Sequence, residues 1–80
     1  MSDFDRTTEL YVTGLTCGHC VASVTEELEE INGVKNVDVI LVKGGESKVT
    51  VLTDTAIDDE AYRDAIQEAG YDLVRISRDL

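Results

Sequence analysis

Apolar residues fall into six short blocks whose period changes along the chain. Over Glu9–Thr13, Leu10 and Val12 alternate with polar neighbours, the pattern of a half-buried strand. From about His19 to Asn32 the period becomes helical. Cys20, Val24, Leu28 and Ile31 lie four, four and three apart, with Val21 alongside and Glu26, Glu27, Glu29 and Glu30 off the stripe. Gly33 is a natural left-handed stop, and Val34 can close the cap. A second strand runs from Val37 to Val42, with Val37, Val39 and Leu41 on one face. Lys43-Gly44-Gly45-Glu46 predicts a tight two-residue hairpin turn. A third strand, Lys48 to Thr53, turns Val49 and Val51 inward. A second helix, about Asp59 to Ala69, has Asp58 as its N-cap and Ile57 stapled to Tyr62. Its apolar side is Ala61, Tyr62, Ala65, Ile66 and Ala69, and Gly70 stops it. A fourth strand, about Asp72 to Ser77, alternates through Val74 and Ile76.

The order is βαββαβ. With right-handed crossovers, two interleaved βαβ units form an α+β, ferredoxin-like sandwich: a four-stranded antiparallel sheet with both helices on one face. The 80 residues make one domain, 1–80, with its core over about 9–76 and polar residues 1–7 frayed. A core this small supports about 3–5 kcal/mol of stability, and a large enclosed pocket would be hard to accommodate.

Charge narrows the functions. There are 17 acidic residues against 7 basic ones, a net charge of −10, and a pI near 4.2. Nothing here neutralises phosphates, so the chain is not expected to bind nucleic acid or an anionic membrane. The excess favours solubility and suits a basic partner, although a solvated acidic surface explains it equally well. No apolar run approaches the ~20 residues that span a bilayer. The N-terminus lacks a signal peptide's apolar segment, which implies a cytoplasmic protein unless the segment was excised from a larger one. The start at Met1 and the end soon after the last strand favour a free-standing chain. Two cysteines in a reducing compartment point to metal or redox chemistry rather than a structural disulfide.

Both cysteines lie in Cys17-Gly18-His19-Cys20, where the first strand passes into the first helix. Cys17 is expected on the exposed loop and Cys20 in the first helical turn. The partial positive charge of a helix N-terminus favours thiolate over thiol. Gly18 would let the loop turn sharply, so that both sulfurs point at one centre. Thiolates are soft ligands suited to copper(I) and, less well, to zinc. With two cysteines and one histidine the chain cannot close a four-ligand zinc site alone. Copper(I) accepts two thiolates, and such a site stays open to an incoming third.

The rival is dithiol redox chemistry, since Cys-x-x-Cys at a helix N-terminus also marks thioredoxin-like oxidoreductases. That fold needs about 100 residues or more and a cis-proline beside the site. This chain has no proline, which favours metal. His19 has three readings: a third ligand, within the monomer or across a dimer, a pH-sensitive modulator, or an exposed polar residue at a helix start. Tyr71, after the Gly70 stop, either shields the sulfurs or simply packs as a cap-closing aromatic. Tyr11 and Tyr62 are assigned to the sheet surface and the helix staple. The glutamates of the first helix spread over its wet side without a pocket, so an enzyme is not expected.

Gly14-Leu15-Thr16-Cys17-Gly18-His19-Cys20-Val21, followed by Val24, Leu28, Gly33-Val34, Val37 and Ala69-Gly70-Tyr71, resembles the heavy-metal-associated domain. Within it, the chain is most similar to the small bacterial copper chaperones of the CopZ-like group, from about Glu9 to Ile76. The resemblance implies a cytosolic copper(I) carrier that delivers to the metal-binding domain of a copper-exporting P-type ATPase, or to a copper-responsive regulator. It implies that Cys17 and Cys20 are the ligands and that Tyr71 is the aromatic beside the site. Thr16, directly before the first cysteine, matches copper-type members, whereas zinc-exporting relatives tend to be acidic there. Leu15 replaces the family's usual methionine, a volume-conserving change. Still open are a mercury or zinc carrier, an excised ATPase metal-binding domain, and a copper-bridged dimer in place of a monomer.

Overall fold

The computed structural model describes residues 6–16 and 18–79. Six elements form in the expected order: β1 (Arg6–Thr13), α1 (Gly18–Glu29), β2 (Val34–Ile40), β3 (Ser47–Thr53), α2 (Asp59–Glu68) and β4 (Asp72–Asp79). The sheet order is β2-β3-β1-β4, and every hydrogen-bonded pair is antiparallel. Each helix therefore links two strands that skip a neighbour, giving the ferredoxin-like sandwich.

The period-2 pattern explains the layering. Leu10 and Val12 of β1 and Val49 and Val51 of β3 are fully buried under the helices. Val24 and Leu28 of α1 and Tyr62, Ala65 and Ile66 of α2 meet them from above. The opposite face of the sheet carries a polar ladder. Tyr11 Oη donates to Glu9 Oε1 at 3.2 Å, and Lys48 pairs with Glu9 at 3.2 Å. The Arg75 guanidinium lies 4.0 Å from the Tyr11 ring centroid and reaches Glu46 at 3.5 Å.

Five local expectations are corrected. β1 starts at Arg6, because pairing with β3 (Arg6 with Thr53, Thr7 with Leu52) orders residues that apolar pattern alone leaves out. α1 ends at Glu29 rather than Asn32. Its C-terminal bonds tighten to i→i−3 spacing (Glu30 N–H to Glu27 O, Ile31 N–H to Leu28 O), which ends the α-helical ladder. Asp58 sits at the N-cap of α2 with extended backbone, but its side chain makes no capping hydrogen bond. The β2–β3 connection is wider than two residues: it spans 41–46 around a Val42–Gly45 turn, with Gly44 alone of its two glycines at positive φ. Ser47 stabilises this wider loop, its Oγ accepting the Val42 N–H at 2.9 Å and donating to the Val42 carbonyl at 3.4 Å.

The fifth correction concerns β4. Opposite β1, Arg75 pairs with Tyr11 but Leu73 pairs with Val12, so Val74 is an extra, bulged residue. The bulge shifts the phase of the strand. Leu73 and Ile76 pack against the core, and Val74 is 46% exposed rather than inward.

The Tyr62 hydroxyl is buried without a hydrogen-bond partner among the described residues. Burial pushes its pKa up; the hydroxyls of Thr8 and Thr53 pull in the other direction without reaching hydrogen-bonding geometry. The folded state thus holds this proton longer than the unfolded chain does. Its contribution is fully present below pH 10 and is lost as pH rises through the higher folded value. Tyr62→Phe is expected to leave stability at neutral pH unchanged or raised by up to about 1 kcal/mol, because it deletes an unpaired group. It should also remove part of the alkaline loss. Urea unfolding at pH 7 and above pH 10 checks both.

Candidate metal centre

The site is built where β1 passes into α1. Pairing of Val12 with Ser47 and of Thr13 with Asp72 puts this turn at the same end of the sheet as the β2–β3 loop and the α2–β4 connection. The chain leaves β1 through Gly14 at φ 95°, a left-handed conformation that L side chains rarely adopt. Leu15 then enters the core, 1% exposed. Thr16 returns to the surface, and its Oγ1 lies 3.8 Å from Cys20 Sγ. When Cys20 is ionised the hydroxyl must be the donor of that pair. Cys17 lies outside the described residues, and its expected exposure with it.

Cys20 is the third residue of α1 and packs, half-buried, against the core. The first turn of α1 has no acidic residue, so nothing there offsets the favourable field of the helix N-terminus on a thiolate. Gly18 opens the helix, and a Cβ added there would meet nothing within 4 Å. His19 is exposed on α1. As the residue next to Cys20 it projects about 100° around the helix from it.

Tyr71 arrives from the other side of the site. At the end of α2 the Gly70 N–H bonds to the Gln67 carbonyl at 2.9 Å and the Tyr71 N–H to the Ile66 carbonyl at 3.1 Å. These are the two bonds of a Schellman cap, made with Gly70 left-handed. The cap delivers the Tyr71 ring onto Gly14: a Cβ on Gly14 would lie 3.2 Å from Tyr71 Cδ1. Tyr71 also packs against the core, as a cap-closing aromatic would. The left-handed backbone of Gly14 is not foreseen by the hydrophobic pattern. The available signal was a glycine directly after a strand.

Acidic residues crowd the far part of the helical layer. Glu26, Glu27 and Glu29 occupy the C-terminal half of α1, Glu30 follows it, and α2 carries Asp59, Glu60, Asp64 and Glu68 against one base, Arg63. The Glu27 carboxyl is held above its usual pKa, first by partial desolvation and then by the charges of Glu30, Glu68 and Glu26. Among the described residues, no three His, Cys, Asp or Glu side chains gather where they would hold a metal ion.

An antiparallel ferredoxin-like sandwich with a Cys-x-x-Cys turn entering α1 defines a small metal-handling domain. The family comparison agrees: residues 9–72 match the heavy-metal-associated domain, and the chain belongs to that family. It is 39% identical over 66 residues to the copper chaperone CopZ of Staphylococcus aureus, covering 81% of this chain and 93% of the relative. A solved CopZ metallochaperone superposes with a TM-score of 0.73 at 38% identity, over 85% of this chain and 98% of that one. A copper binding domain from HMA7, a P-type ATPase, superposes with a TM-score of 0.68 at 28% identity, over 94% and 95%.

Leu15 anchors the turn by burial rather than by ligation. Leu15→Met is expected to cost under about 1.5 kcal/mol, and Leu15→Ala about 2–5 kcal/mol, in denaturant unfolding of the metal-free protein.

Proposed function

We propose that this chain is a cytoplasmic copper(I) chaperone. Cys17 and Cys20 hold one copper(I) as thiolates and pass it to the metal-binding domain of a copper-exporting P-type ATPase or to a copper-responsive regulator. The observation that carries this reading is the setting of Cys20: first turn of α1, no acid in that turn, Thr16 hydroxyl beside the sulfur, and the adjoining loop tied to the core through Leu15. Similarity to copper chaperones over most of the chain supports copper as the cargo.

Transfer needs no redox step. A partner thiolate bonds to copper to give a three-coordinate centre, one of this chain's thiolates leaves, and a second exchange completes the move. Copper stays monovalent, and sulfur–metal bonds made and broken are equal in number. The protein is thus a carrier, not an enzyme, working as a monomer that two sets of cysteines can join into a copper-bridged dimer. Similarity to an ATPase copper domain supports a second reading, in which the segment is a metal-binding domain of such a pump. A mercury or zinc carrier and a dithiol redox protein would use the same cysteines.

Cys17→Ser or Cys20→Ser is expected to weaken copper(I) binding more than about 100-fold, beyond what loss of an outer-sphere partner costs. Competition with a copper(I) chelator under anaerobic conditions measures it. Wild-type affinity in both variants contradicts the assignment.

The acidic helices lead to a second expectation. If they steer docking onto a basic partner, raising ionic strength from about 0.05 to about 0.5 M slows transfer by about tenfold. A rate independent of salt returns these residues to a solubility role.

A further inference from the structure

The open sheet has two edges, β2 and β4. An edge strand presents unpaired N–H and C=O groups on its outer side, a template for a further strand. On β2 the stretch suited to pairing is Asn36–Ile40. It keeps an unbroken register with β3, from Asn36 with Leu52 to Ile40 with Lys48, whereas Lys35 before it has no partner in β3. Val37 and Val39 are partly buried against the core, and Ile40 is 57% exposed. From Val37 to Val42 the sequence is Val-Asp-Val-Ile-Leu-Val, apolar but for Asp38 and without glycine or proline. Such a segment on an edge is prone to pair with its own copy.

Geometry selects the register. A second copy that extends the sheet by a two-fold axis lies antiparallel to β2, and the axis runs through one residue, which meets itself. Centred on Asp38, the whole regular stretch pairs: Asn36 opposite the second copy's Ile40, Val37 opposite its Val39, and Asp38 opposite its Asp38. The valines of the two copies would then meet on the core face and extend the hydrophobic layer. Centred on Val37, the pairing runs into the unpartnered Lys35; centred on Val39, it runs past the end of β2 at Ile40. The register that uses the whole stretch is therefore the one that sets two carboxylates face to face, with their Cβ atoms about 4.5–5.5 Å apart. Asp38 is exposed, and no base pairs with it among the described residues.

We propose that Asp38 holds the β2 edge closed to a second copy of this chain. The block is local: one pair of like charges at the centre of the best register, rather than the net charge of −10. With that carboxylate neutralised, the same edge becomes a dimer surface and two sheets join into one. The metal-bearing turn belongs to β1 and α1, so the proposal does not depend on what that turn carries.

Sedimentation equilibrium of the reduced, metal-free chain tests this, at about 0.5 M salt so that the glutamates of α1, which packs on β2, are screened. Wild type is expected to be monomeric. Asp38→Asn, which keeps the shape and removes the charge, is expected to raise the association constant by at least about tenfold, with slowed amide exchange at the β2 edge. Asp38→Lys is expected to stay monomeric alone but to dimerise when mixed with wild type, where unlike charges meet. A monomeric Asp38→Asn overturns the proposal, as does slowed exchange in β4 instead of β2. Self-association of Asp38→Lys as tight as that of Asp38→Asn makes net charge the cause and also overturns it. If Asp38→Asn does not fold, the mixture of Asp38→Lys with wild type still decides.

Discussion

The side chain of Leu15 leaves the turn after β1 and enters the core, while Gly14 and Thr16 on either side of it stay at the surface. A turn this short cannot build a core of its own. Burying one leucine is worth about 1.5–3 kcal/mol, comparable to fixing the backbone of one or two residues. The contact therefore holds the turn without freezing it. The other features of the site follow from this anchor. Gly14 must be left-handed to direct the chain inward, its bare Cα admits the Tyr71 ring, and Thr16 comes back to the surface beside Cys20.

Charge is distributed so that the two ends of α1 differ. The first turn carries no acid and presents the positive end of the helix to the sulfur. The last turn carries glutamates and no base, against the preference of the helix dipole; desolvation and the charges of Glu30, Glu68 and Glu26 raise the pKa of Glu27 there. A chain selected for stability alone would mix lysines into that surface. Two basic residues, Lys48 and Arg75, sit instead on the open face of the sheet, where they are paired with Glu9 and Glu46. The helical layer beyond the first turn of α1 is left strongly negative, which is the polarity a basic partner would meet.

The heart of the fold was legible because its signals are periodic. Leu10 with Val12, Val49 with Val51, and the Val24–Leu28 stripe each read directly onto a buried face. The misplaced residues share one cause: local phase set by pairing with a distant strand. Val74 looks like an inward residue until the bulge against Tyr11 and Val12 resets β4. The hairpin looks two residues long until Ser47 is seen to support a wider loop. In the site, the placement of Cys20 near the start of α1 followed from the change of period, whereas the left-handed backbone of Gly14 did not. A glycine's φ depends on where the flanking residues are anchored, and neither the depth of Leu15 nor the reach of Tyr71 is written in spacing.

The central claim is a single open two-thiolate centre that prefers copper(I). Anaerobic titration of the reduced chain with copper(I), in the presence of excess zinc and with thiolate-to-copper absorption as the readout, tests it most directly. The expected result is saturation at one copper per chain, undiminished by zinc and abolished by alkylating the two cysteines. Saturation that zinc suppresses, or copper uptake that survives alkylation, would contradict it.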